Sequence, residues 1–286
     1  MGLGTDQRTV TTEANFLPEV WAPEVQMAYE DNLVMANLVK SFDGLARGNK
    51  TIHVPTVANR AAQDKSANTQ VVLTGDTPGE FTLTVNKHKH SADLIEDFAQ
   101  AQSNYELRGI YTQKQGFAVS DALDVDLLTL YSDADNNVGD NTAGITQAKW
   151  TAAIRILDAA NVPMRERYAV IEAYGREDLH NIDNFIRYDA TGKGRSDNPI
   201  LNGFQGNLFG VDTYFDQNVV TTSGTPNTVH GMIFQREAFA KAVPVGPRTQ
   251  GDYILEYLGT LVVTDIMYGV GTYRSNAVVD LRYGQS

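Results

Sequence analysis

Lys50-Thr51-Ile52-His53-Val54-Pro55-Thr56-Val57 and Phe81-Thr82-Leu83-Thr84-Val85-Asn86-Lys87-His88-Lys89-His90 are alternating runs on either side of a polar stretch, and how they are read decides the fold. In the first run Ile52 and Val54 fall on one face and Thr51 and His53 on the other, the period of a strand, while Pro55 restricts it to a sheet edge. In the second run Phe81, Leu83 and Val85 interleave with Thr82 and Thr84, and the segment continues through Lys87, His88, Lys89 and His90. Residues 59–79 between them contain Gly75, Pro78 and Gly79 and are too hydrophilic to pack internally and too long for a tight turn. The pattern predicts a long two-stranded projection. An isolated ribbon of this kind is at best marginal in water, so it is expected to lie on another subunit.

Working outward toward the N-terminus, residues 1–22 are polar up to Asn15 and then turn to Phe16-Leu17-Pro18-Glu19-Val20-Trp21, an extended arm with aromatic anchors at Phe16 and Trp21. Pro23 suits a first helical position, and Val25, Ala28, Leu33, Ala36 and Val39 predict a helix ending near Gly44. Toward the C-terminus, Ser103-Asn104-Tyr105-Glu106 has the form of a capping box. Leu107, Ile110, Tyr111, Phe117, Ala118, Ala122, Val125 and Leu128 then recur at helical spacing, with no proline before Asp133. Asp121, Asp124 and Asp126 are read as the solvated side of that helix, with a basic neighbour across an interface as the alternative.

Asp133 to Gly144 is turn-rich and marks a boundary. Thr146 is placed to cap a helix whose apolar face is Trp150, Ala153, Ile154 and Leu157, with Pro163 beyond its end. Tyr168 to Ile171 reads as a strand, Arg176 to Ile182 as a helix, and residues 188–210 as loops and short strands. Met232-Ile233-Phe234 reads as a strand leading into a short helix near Arg236. The last fifty residues are strand-rich: Tyr253, Leu255 and Tyr257 alternate, followed by Leu261-Val262-Val263 and Ala277 to Leu281. The fold class is α+β, with no repeat period.

Composition excludes whole classes of function. The 286 residues contain no cysteine, which removes disulfides, thiolate nucleophiles and cysteine-ligated zinc. A net charge of −12 repels polyanions and argues against tight nucleic-acid binding, while suiting a container. No apolar run is long enough to span a bilayer, and Met1 to Arg8 show no secretory signal, so a cytoplasmic, non-membrane protein is expected.

His88 and His90 share a strand face but have no evident third metal ligand, so a solvated strand edge is expected. Asp133-x-Asp135-x-Asn137-x-Gly139-Asp140 departs from a calcium loop at Val138 and Gly144 and is read as an acidic turn. Gly192-Lys193-Gly194-Arg195 lacks the spacing of a phosphate loop, and no Gly-x-Ser-x-Gly elbow is present, so any Ser-His-Asp trio would be accidental. No catalytic residue, cofactor or metal is predicted.

In this order the elements resemble the major capsid proteins of tailed phages, which share the Hong Kong 97-type fold. Phe16 to Trp21 resembles that family's entry into its N-arm, residues 50–90 its extended loop, and residues 103–131 its long spine helix. Leu157-Asp158-Ala159-Ala160-Asn161-Val162-Pro163 with Arg167 is similar to the helix, turn and strand that open the axial domain. Gly206 to Tyr214 is similar to its glycine-marked hairpin, and Phe234-Gln235-Arg236-Glu237-Ala238 to its Phe-x-Arg-Glu-Ala segment.

The resemblance implies an N-terminal arm and first helix over 1–45, an extended β-hairpin loop over 46–92, and a peripheral domain with the spine helix over 93–145. An axial domain over 146–250 and C-terminal strands over 251–286 would follow. It further implies a subunit that assembles as hexamers and pentamers into an icosahedral shell around phage double-stranded DNA, without sequence-specific binding, in the virion after assembly in the host cytoplasm. Expected intersubunit contacts are Phe16, Trp21, Ile52, Val54, Phe81, Leu83, Lys87 and Lys89. Expected partners are copies of itself and separate scaffolding, portal and decoration proteins, since no long N-terminal scaffolding segment is visible unless the chain begins after a processing cut. Lys50, Lys65, Lys87 and Lys89 fall in or beside the loop, but no local pattern marks one for cross-linking. An encapsulin-like compartment shell, or an α+β enzyme or binding module, are the alternatives.

Overall fold

Val229, Met232, Ile233 and Phe234 leave few polar positions along β10 (Thr228–Gln235), the pattern of a strand covered on both faces. The computed structural model, which describes residues 33–57, 62–71, 73, 75, 79–97, 107–180 and 204–284, places this strand centrally. It runs antiparallel to both β13 (Val278–Gly284) and β6 (Arg167–Ile171) in a seven-stranded sheet. Beyond β13 lies β5 (Asn136–Val138), and beyond β6 lie β8 (Val211–Phe215) and β7 (Phe204–Leu208), while β9 (Thr221–Thr222) pairs with the start of β10.

Five short elements open the described chain: α1 (Met35–Leu38), β1 (Lys40–Ser41), α2 (Asp43–Ala46), and then β2 (Thr51–Thr56) paired with β3 (Gly79–Thr84). A four-stranded sheet follows the order β1, β11 (Phe239–Ile254), β12 (Gly259–Thr272), β4 (Lys87–Glu96). The helix α3 (Leu107–Leu128) packs on β12, β4 and β11. Val119, Leu123, Leu127 and Leu128 of α3 are buried in one continuous core with Ile266 and Tyr268 of β12 and with the apolar strands of the larger sheet. Phe234 and Phe239, edge to face at 5.2 Å between centroids, join the sheets where β10 turns into β11.

The helix α4 (Gln147–Ala159) forms as its sequence predicts. Thr146 Oγ accepts the Lys149 amide at 3.3 Å, and Trp150, Ala153 and Leu157 are fully buried. Asn161, at φ 55°, ends it in the left-handed region. Arg167 then braces the Asn-Val-Pro turn, donating to the carbonyl oxygens of Val162 at 2.7 Å and Pro163 at 3.0 Å and pairing with Asp158.

Several expectations need correcting. The run from Phe81 to His90 is two strands in different sheets, β3 in the ribbon and β4 beside β12, because Val85 turns into the ribbon's root and its amide bonds to the Lys50 carbonyl. The helix expected up to Gly44 is broken within its described part: Val39 is extended, and Lys40–Ser41 pair in parallel with Ala240 and Lys241 of β11. Residues 23–32 lie outside the described residues. No helix forms at Arg236. Residues 236–238 make a tight turn closed by the Ala238 amide on the Gln235 carbonyl at 2.7 Å, because fully buried Phe239 must enter β11 opposite Thr272. Leu255 and Tyr257 do not continue the alternation of Tyr253. They sit in the turn that joins β11 to β12.

Candidate intersubunit surface

In the ribbon, Ile52 opposes Leu83 and Val54 opposes Phe81, so these side chains share one face. That face covers a small buried cluster of Ala46, Ile52, Leu83, Val85, Ala240 and Ala242, with Phe42, Val54, Phe81, Met267 and Tyr273 at its margin. Phe81 packs edge to face on Tyr273 at 4.9 Å, and Phe42 does so at 6.1 Å. Lys40 Nζ lies 4.9 Å from the Tyr273 ring and bonds Glu237 at 2.8 Å. The ribbon's root is therefore fixed to α2, β11 and β12 of its own chain. Its opposite face is exposed and polar, with His53 bonded to Glu80.

Gly269 makes the crossing possible. A Cβ there would fall on the Thr84 carbonyl oxygen, so β12 accepts the end of β3 only because that position has no side chain. Away from the root, apolar side chains stand in solvent: Val57 and Val71 are exposed, and Leu73 is 91% exposed.

Four of the expected contact residues have marginal or buried places in this chain: Ile52 and Leu83 are buried, and Val54 and Phe81 are half-buried. Lys87 pairs with Asp126 of α3 at 2.9 Å. Lys89 is exposed on β4 opposite Ile266. Phe16 and Trp21 lie outside the described residues.

The sheet carrying the ribbon is tied to α3 by polar side chains. Gln115 Nε2 donates to Asp93 at 2.7 Å and to the Val262 carbonyl at 3.2 Å, and its Oε1 accepts the Thr264 hydroxyl at 3.0 Å. Tyr268 donates to Asp126 at 2.6 Å, and burial beside that carboxylate pushes its phenol up. On the sheet's other face, Asp265 takes Arg248 in a two-pronged pair at 2.8 and 3.0 Å and His88 at 2.8 Å. These partners hold its carboxyl down to about 2.

Sequence reasoning missed the end of the β11–β12 hairpin. Leu255 is 77% exposed, Leu258 63% and Tyr257 61%, with Tyr253 beside them fixed by a 2.7 Å bond to Asp97. A run of apolar residues in a turn is the signal that was available, since turns are normally polar.

The motifs resolve into local roles. His88 is engaged by Asp265, and no group of three or more metal-ligating side chains occurs among the described residues. The acids of the calcium-like stretch diverge: Asp133 accepts Thr272, Asp135 accepts Ser275, and Asp140 accepts Thr142. A hydroxyl–histidine–carboxylate arrangement does exist, with threonine in place of serine. Thr222 Oγ lies 3.0 Å from His230 Nε2, and His230 Nδ1 lies 3.1 Å from Asp280, which also takes Arg282. His230 is buried against the Tyr131 ring, so these bonds satisfy both ring nitrogens and join β9, β10 and β13. Gly192 to Arg195 lies outside the described residues. The reading of Asp121, Asp124 and Asp126 as a solvated side is overturned: Asp124 is buried, Asp121 bonds Asn218, and Asp126 holds Lys87 and Tyr268.

No protein-family model matches the chain, and no curated protein matches it. Solved structures do. A chain of Mycobacterium phage Che8 is similar at TM-score 0.77 and 21% identity, covering 95% of this chain and 99% of that one. A chain from the capsid of cyanophage P-SCSP1u is similar at TM-score 0.75 and 18% identity, covering 100% and 98%. One from the acid-stable capsid of Helicobacter pylori bacteriophage KHP30 is similar at 0.69 and 12%, covering 100% of each. This chain has the α+β fold of these phage capsid structures.

Proposed function

We propose that the protein is the major capsid subunit of a tailed phage. The observation that carries this reading is the likeness, over essentially the whole chain, to chains from phage capsids. The subunit assembles as hexamers and pentamers into an icosahedral shell around double-stranded DNA, and its role in the virion is structural, without catalysis. Separate scaffolding, portal and decoration proteins act with it. A net charge of −12 suits a wall that encloses DNA without gripping it.

In this reading α3 is the spine of a peripheral domain, the β2–β3 ribbon is the extended loop, and the seven-stranded sheet with α4 is the core of the axial domain. The contacts that build the shell lie on the exposed apolar positions of the ribbon, Val57, Val71 and Leu73, and on the hairpin end at Leu255, Tyr257 and Leu258, whose solvent exposure supports the assignment. Phe16, Trp21, Val54, Phe81 and Lys89 contribute at the same boundaries, while Ile52, Leu83 and Lys87 hold the ribbon and β4 in the posture that reaches a neighbour. Many small contacts spread over several neighbours add up through multivalency.

The test is expression of the chain with its genomic neighbours, followed by size-exclusion chromatography and electron microscopy. Closed uniform particles containing DNA are expected. A stable monomer or dimer would overturn the proposal, and closed shells loaded with an enzyme cargo would move it to a compartment shell. Removal of residues 59–79 is expected to leave a folded subunit that forms no normal shells.

A further inference from the structure

Asp124 of α3 and Asp216, directly after β8, are buried at 1% and 0% exposure. Asp124 Oδ1 accepts the backbone N–H of Met35 at 2.8 Å, and the Ala36 amide faces the same carboxyl. These are the first amides of α1, whose own N-cap position is Val34, a residue with no side-chain acceptor. The cap of α1 is therefore supplied from α3. Asp216 Oδ1 accepts the Asn218 amide at 2.8 Å, and the Asn218 side chain donates to Asp121 at 2.6 Å.

Oδ2 of each acid is buried and has no hydrogen-bond partner among the described residues, and the two carboxyls lie against each other. Ionised carboxylates only accept and would repel here, where no donor meets either Oδ2, so the pair is held together by one proton between them. We propose that Asp124, Asp216 and their shared proton form a latch that fastens α1 and the segment leading into β1 against α3 and the turn after β8, and that loss of the proton to solvent releases this segment.

The electrostatics around the pair set the direction. Asp121 on α3 faces both acids as a third carboxyl; α1 presents the Met35 and Ala36 amides, and the turn after β8 presents the Asn218 amide. Burial, reinforced by Asp124, pushes the Asp216 carboxyl up to about 9, and burial likewise raises Asp124. The raised folded value against 3.8 unfolded means that the pair's contribution is greatest in acid, declines as pH rises from about 4, and is fully lost once pH passes about 9. At neutral pH the proton is still held and the latch is closed. Above about 9, adjacent buried carboxylates repel, and what then retains α1 is the burial of Met35, Leu38 and Val39.

The experiment uses the full chain and limited chymotrypsin digestion from pH 7 to 10.5, with rates normalised to a free peptide substrate at each pH. Cleavage after Leu38 and Phe42 is read by mass spectrometry, and circular dichroism follows the whole fold. Expected is a rise of at least about tenfold at these sites between about pH 7 and about 9 that levels off above about 9, with the dichroism unchanged. In Asp216→Asn, whose amide keeps a donor to Asp124 at every pH, the rate stays flat; Asp124→Asn supplies the same comparison from the other side. A flat wild-type profile, equal rises in wild type and both variants, or loss of the entire fold at the same pH would each overturn the proposal.

Discussion

Lys87 Nζ lies 2.9 Å from Asp126 Oδ2, the same oxygen that accepts the Tyr268 hydroxyl at 2.6 Å, so one carboxylate on α3 secures both β4 and β12. The contributions differ because the surroundings differ. Lys87 is about a third exposed and remains hydrated, whereas Tyr268 is fully buried. Lys87→Met is expected to cost under about 1 kcal/mol, the usual worth of a screened pair. Asp126→Ala removes the charged acceptor, leaves the buried phenol only the Ala122 carbonyl at 3.0 Å, and is expected to cost about 1.5 kcal/mol. Denaturant unfolding of the unassembled subunit measures both, and a larger loss from Lys87→Met would refute this ranking.

Gly269 beneath Thr84 gives a second expectation. Gly269→Ala puts a methyl group on a backbone carbonyl that cannot rotate away and is expected to destabilise by about 1–3 kcal/mol through overpacking. The loss should be accompanied by faster amide exchange in β2 and β3. Gly246→Ala, in the neighbouring strand, opens onto free space and serves as the control, with an expected change within about 0.5 kcal/mol.

Replacing Leu255, Tyr257 and Leu258 together by serine should separate folding from assembly. Each is more than half exposed, so the unfolding midpoint of the subunit should hardly move. Shell yield, read by sedimentation, should fall at least tenfold. Normal shells from this variant would remove the hairpin end from the contact surface.

How far the sequence could be read depended on whether its signal was local. The Trp150, Ala153, Leu157 face and its Thr146 cap follow a single helical period and stand where that period puts them. Asn86 is the one turn-prone residue at the change of sheet, and with no glycine or proline beside it the run from Phe81 to His90 read as continuous, which hid the boundary between ribbon and β4. In β11, Pro244 and Pro247 offer no backbone donor, and the strand continues through them by register shifts between Ala242 and Val245 and between Val245 and Arg248, which no local period announces. Leu258 turns the chain at φ 46° without the glycine that would have announced it. Asp124 looked solvated because its burial depends on Met35 and Asp216, which are distant in the sequence. The expected contact residues fared likewise: alternation located the apolar face of the ribbon, but only the tertiary structure shows that Ile52 and Leu83 spend that face on their own chain.

Asp265 gives the acid-side counterpart of the latch. Arg248 first, and His88 second, hold its carboxyl down to about 2, below the ordinary 3.8. A depressed folded value contributes stability that is fully present above the unfolded value and is lost as pH falls from about 4 toward about 2. Because Arg248 is half exposed, solvent and salt screen the pair, so the effect should shrink at high ionic strength. Asp265→Asn removes the titrating group. Its unfolding midpoint is expected to fall below wild type at pH 6, and the gap should narrow steadily toward pH 2, where the wild-type carboxyl is itself becoming protonated. Parallel midpoints for wild type and variant across pH 2–6 would mean that the Arg248 and His88 contacts do not bias the folded state.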